Sequence, residues 1–133
     1  MARIPEEVVE SVVSDVSKRM ADPNYAQVAV GSFVQKQPDV SRFLTAHAED
    51  LGGGEAVIHV VFHAEVLAEC FRRHRGQSAS VIDFVDLDEA TTDDLSGTFA
   101  KRQPALASYV ASNIDDRKAR DLLAHVGLAL DRA

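Results

Sequence analysis

Only one cysteine, Cys70, occurs in the 133 residues, so an intramolecular disulfide and a cysteine-built zinc site are both excluded. Tryptophan is absent and aromatics make up 6%, which leaves Val, Leu, Ala and Phe to fill the core. Positive charge is in short supply: 14 Lys and Arg stand against 21 Asp and Glu, for a net charge of −7. That balance argues against a nucleic-acid or anionic-membrane surface, because both need clustered cations. Long apolar runs are also missing. The longest, Ala56–Phe71, is interrupted by His59, His63, Glu65 and Glu69, which excludes a membrane span there. The opening residues turn acidic at Glu6 and Glu7 without an apolar stretch, unlike a signal peptide. Together these absences lead to the expectation of a soluble protein of a reducing cytoplasm.

Sequence fingerprints of catalysis are absent as well. There is no Gly-x-Ser-x-Gly, no Gly-x-Gly-x-x-Gly and no Cys-x-x-Cys. The acidic stretch Asp83, Asp86, Asp88, Glu89, Asp93 and Asp94 lacks the spacing and central glycine of a calcium loop. Gly52-Gly53-Gly54 lacks the Lys-Ser/Thr of a phosphate loop and reads as a helix stop.

What is present is helical patterning and an internal echo. The 46% hydrophobic content and the length suit one folded domain over 1–133. Gly31-Ser32-Phe33-Val34-Gln35-Lys36-Gln37-Pro38 returns 66 residues later as Gly97-Thr98-Phe99-Ala100-Lys101-Arg102-Gln103-Pro104. Carried on without a gap, that offset makes seven of thirty positions identical between 31–60 and 97–126. The spacing therefore predicts an all-α bundle of about six to eight helices in two pseudo-symmetric halves, near 1–76 and 77–133.

Pro5 with Glu6 and Glu7 opens the first helix, and Asp22-Pro23 restarts the chain for a second, to about Gln35. Gln37-Pro38 marks a corner. Val40, Phe43, Leu44, His47, Ala48 and Leu51 then keep helical phase as far as the glycines. Residues 81–90 are ambiguous between helix and strand and are read as helix, with Ser80 and Asp83 resembling a capping box. Thr91–Asp94 opens the next helix, Pro104 another, and Asn113 or Asp115 caps the last.

The central helix, from about Glu55 to Arg75, is the most apolar element. Val57, Val60, Val61, Ala64, Leu67, Ala68 and Phe71 share one face. The opposite face holds Ile58, Phe62, Val66 and Cys70 among histidines and glutamates, where a surface helix would be polar. These four residues are the candidate interface, with a homodimer or another protein as partner. Arg72-Arg73-His74-Arg75 places cations at the negative end of the helix dipole before Gly76, an arrangement that needs no nucleic acid to explain it. His59 and His63 lie one turn apart with Glu55 one turn before them, and the repeat pairs His59 with His125. Glu55, His59, His63 and His125 are thus the candidate set for a divalent transition metal or small ligand. Histidines that pack at an interface and bond through one edge account for the same pattern. No cofactor is implied. The functional expectation is a non-enzymatic interaction or dimerisation module, with a metal- or ligand-binding regulator or enzyme as the alternative.

Overall fold

A computed structural model describes residues 3–133, and among these the regular structure is nine α-helices. They are α1 (Glu6–Arg19), α2 (Tyr25–Lys36), α3 (Pro38–Thr45), α4 (Ala48–Leu51), α5 (Gly54–Arg75), α6 (Phe84–Glu89), α7 (Leu95–Arg102), α8 (Pro104–Asn113) and α9 (Arg117–Arg132). No described helix is long and apolar enough to cross a membrane. A central pair, α5 and α9, packs together, with α1, α2 and α3 against α5 and α7, α8 and α6 against α9. One hydrophobic cluster runs through both halves of the chain, with Phe33, Phe71 and Phe99 among its largest fully buried side chains. Each such ring contributes about 1.5–3 kcal/mol by leaving water.

The count exceeds eight because 38–51 is two helices. Ser41 Oγ donates to the carbonyl of Gln37 at 3.0 Å, and Thr45 Oγ1 to that of Ser41 at 2.8 Å. Such back-bonding competes with the helix's own ladder and bends it. The chain breaks at Ala46–His47, and Gly52 and Gly53, at φ +103° and +123°, then turn it into α5. Gly76 at φ +76° closes α5, its N–H donating to the Arg72 carbonyl at 2.8 Å.

Residues 81–90 hold a short helix that begins only at Phe84; Val81 and Ile82 precede it outside any helix. The capping box is Asp83 with Asp86, not Ser80 with Asp83: Asp86 N–H donates to Asp83 at 2.8 Å and Asp83 N–H to Asp86 at 3.0 Å. Within the Thr91–Asp94 stretch expected to open α7, the cap is its last residue, Asp94, whose carboxylate accepts from Gly97 N–H. The cap of α9 is Asp116, which accepts from Ala119 N–H at 2.9 Å, and neither Asn113 nor Asp115 fills that place. In each case an aspartate three residues before a free N–H took the cap.

The two Gln-Pro corners have nearly the same backbone, Gln37 at φ −132°, ψ 67° and Gln103 at φ −136°, ψ 72°. Both side chains are buried, and each ties down an extended segment. Gln37 accepts from Ile82 N–H at 2.8 Å and donates to the Ser80 carbonyl at 2.9 Å. Gln103 accepts from Ile4 N–H at 2.9 Å and donates to the Asp131 carboxylate at 2.9 Å. A carboxamide presents one donor and one acceptor, as a peptide group does. It therefore satisfies an extended segment that has no neighbouring strand.

Replacing Gln37 or Gln103 with Ala would strand a buried N–H at Ile82 or Ile4. Each variant is expected to lose about 2 kcal/mol in urea unfolding, and a loss below about 0.5 kcal/mol would show that water replaces the amide.

Candidate functional site

Helix α5 is long enough to carry different chemistry on different sides. Its apolar face forms at 3.6-residue spacing and is buried: Val57, Val60, Val61, Ala64, Leu67 and Phe71 all lie in the core. The second face divides along its length. Val66 is 3% exposed and Cys70 0%, so half of the expected interface is interior, beneath the helices packed on α5. Ile58, 56% exposed, is open, and Phe62 is half-buried.

Around Phe62 the exposed apolar surface extends onto α2. Tyr25 meets the Phe62 ring edge to face at 6.3 Å, and Val28, one turn further along α2, is 65% exposed. These residues border a cavity of about 210 Å³ between α1, α2 and α5, with Val12, Val16, Ala29 and Val66 among its apolar lining.

The rim of this cavity is charged. Arg72 bonds Glu65 at 3.1 Å and also pairs with Glu69. Arg73 bridges Asp15 of α1 at 2.8 Å and Glu69 at 3.1 Å. The cations that sequence analysis assigned to the helix dipole thus also join α5 to α1. Arg75 serves elsewhere, donating to the Leu130 and Asp131 carbonyls at the end of α9. Burial raises the pKa of Glu65, against the pull of Arg72 and Lys36. Two more cations line the cavity without an ion pair to any described residue. Arg19 lies over the Tyr25 ring, 6.0 Å from its centroid, and Lys36 closes the last turn of α2. The rim therefore carries local positive charge on a chain of net charge −7.

The histidines are distributed differently from the expected set. His63 is buried, and its Nδ1 shares a 2.6 Å hydrogen bond with the Tyr109 hydroxyl of α8. The His59 ring packs edge to face on it at 4.6 Å and is exposed. His125 turns to other partners: its Nε2 donates to the Leu87 carbonyl at 2.7 Å, and its ring packs on Phe43. Among the described residues no group of three or more His, Cys, Asp or Glu is placed to hold a metal ion. Glu55, His59, His63 and His125 are therefore not assembled into one site. Helical spacing put the first three on one helix, but His125 is taken by the carbonyl end of α6.

Tyr109 was not visible as a partner because forty-six residues separate it from His63. Its pKa is raised by burial and by Cys70, while burial pushes the Cys70 thiol up to about 12, with help from Glu69. His63 moves the other way, lowered to about 4 by burial and by His59. All three groups are held neutral.

Because folded His63 binds its proton more weakly than the unfolded chain does, stability is fully present above about pH 6.5. It falls as pH drops towards 4, by up to about 3 kcal/mol. His63→Gln, which keeps a polar partner for Tyr109, should lose less stability than wild type between pH 7 and pH 4 in urea titrations. Parallel curves for the two proteins would show that His63 is protonated without cost. Comparison with known family models, curated proteins and solved structures gives no match.

Proposed function

We propose that this protein works through protein–protein contact, as a homodimer whose interface lies on the Tyr25–Phe62 surface of α2 and α5. The observation that carries this reading is the exposed apolar surface around the cavity. Val28 borders it beside the Tyr25–Phe62 aromatic pair and is more than half exposed, as is Ile58, one turn before Phe62 on α5. Aromatic anchors beside a charged rim are the usual make-up of an interface centre. The alternative metal-bound reading draws less support, since His63 and His125 are bonded to different partners on different helices.

The internal echo supports a second part of the proposal, that the two halves descend from one helical unit. Equivalent positions at the 66-residue offset are buried alike: Phe33 with Phe99, Val40 with Leu106, Leu44 with Val110 and Val60 with Val126. The corner glutamines also act reciprocally. Gln37 of the first half holds the segment leading the second, and Gln103 of the second holds the segment leading the first. A two-fold dimer of the ancestral unit, with exchanged leading segments, would produce that arrangement.

Val28→Glu and Ile58→Glu test the interface at positions where added charge leaves the core untouched. In sedimentation-velocity experiments at micromolar concentration, wild type should run as a dimer. Each variant should weaken the dimer about tenfold or more with an unchanged circular dichroism spectrum. A monomeric wild type, or variants as dimeric as wild type, would overturn the proposal.

A further inference from the structure

The groove described above has a counterpart elsewhere on the chain. At the start of α6, Val81, Phe84 and Val85 are 65%, 47% and 61% exposed, the densest exposed apolar group in the sequence. Phe84 and Val85 open α6, and Val81 lies in the extended approach two residues before the Asp83 cap. Their orientation is fixed from beneath. Ile82, fully buried, is clamped by Gln37, and the Asp83–Asp86 capping box holds the first turn.

The segment that carries this knob is acidic, although Arg102 and Arg132 border Val81 on one side. Residues 76–100 contain six carboxylates, Asp83, Asp86, Asp88, Glu89, Asp93 and Asp94, and no Lys or Arg. Glu89 alone among the six forms an ion pair, with Arg132 at 3.2 Å, so Asp83, Asp86 and Asp88 leave α6 and its cap with a net negative charge. The α1/α2/α5 groove has an apolar floor with four cations and three carboxylates on its lining, where Arg19 and Lys36 form no close ion pair although Lys36 is attracted to Glu65.

We infer that the α6 knob of one copy of this chain docks into the α1/α2/α5 groove of a second copy. The inference rests on the homodimer reading and names the surface that faces the groove. Apolar character and charge both favour this occupant: the carboxylates of α6 and its cap meet Arg19 and Lys36, while Phe84 and Val85 reach the apolar floor. The two surfaces also adjoin. Gln37 fastens Ser80–Ile82 to the end of α2, one residue from Lys36, so the knob emerges beside the Lys36 end of the groove. Two identical knob-to-groove contacts can therefore form around a single two-fold axis.

That symmetry provides the test. Phe84→Glu spoils the knob and Val28→Glu spoils the groove, and each variant alone should weaken the homodimer about tenfold or more. Mixed one to one, they should form a heterodimer tighter than either homodimer, because it keeps one contact with both surfaces intact. Native mass spectrometry distinguishes the species by mass. Val85→Glu serves as the knob variant if Phe84→Glu alters the circular dichroism spectrum. Lys36→Glu, on the rim, should also weaken the wild-type dimer. A dimer insensitive to Phe84→Glu and Val85→Glu but broken by Val28→Glu would sink the knob while leaving the groove interface standing. A mixture no tighter than its parents would sink it equally. A dimer indifferent to every one of these variants would remove the homodimer interface itself.

Discussion

The buried carboxamides of Gln37 and Gln103 are the constraint on which the arrangement depends. An all-helical protein has no sheet to receive an extended segment, so each leading segment reaches the core only if a side chain meets its backbone. Glutamine does this with one acceptor and one donor. Proline after each glutamine ends the preceding helix and starts the next, which turns the amide inward at a fixed backbone angle. The amide then sets what lies beyond it. With Ile82 pinned in the core, Val81 and the first turn of α6 have no inward course. At the other corner, Asp131 joins Gln103 to Arg102, a pair at 2.8 Å in which the carboxylate is nearly inaccessible. Its charge is offset by one guanidinium and one amide, the condition under which a buried carboxylate is tolerated.

Helix α5 meets a different demand, since it is covered on more than one side. Its apolar content is too large for a surface helix and its polar content too large for a wholly buried one. The conflict resolves along its length. Towards its middle and end, Val66 and Cys70 pass under neighbouring helices, and the charges beside them pair off through Arg72 and Arg73. Nearer its start Ile58 stays open. Close packing between α7 and α9 is bought at Gly127, where an added methyl group would overlap the Phe99 ring.

Much of this was legible from the sequence because it is local. The 3.6-residue period located the long helices, and the Gln-Pro pairs marked both corners. What escaped was either a competition between neighbouring side chains or a contact across the fold. Ser41 and Thr45 are ordinary helix residues until their hydroxyls turn back on the i−4 carbonyls and divide 38–51. Several aspartates were eligible to cap α9, and only the local turn selects Asp116. Read from α5 alone, the candidate interface includes Val66 and Cys70; neighbouring helices bury both, and no periodicity in α5 records that. The groove needed three helices to become visible, and Tyr109 needed a fourth.

The buried line of His63, Tyr109 and Cys70 shows how position separates chemistry from packing here. Three titratable side chains converge within one stretch of α5 and α8, a combination that would suggest acid–base or nucleophilic work. Yet each shift runs towards the uncharged form. The thiol at about 12 has almost no thiolate near neutrality, and the thiolate is the nucleophile. The phenol is raised and the imidazole lowered, so neither partner of the hydrogen bond carries charge. Neutrality is what lets His63 and Cys70 sit inside with Tyr109 half-buried against them: a charged member would need an opposite charge beside it, and Arg72 and Arg73 are already engaged with Glu65, Glu69 and Asp15. Unneutralised charge is therefore displaced to the surface, to the unpaired cations at the mouth of the groove and the carboxylates around α6.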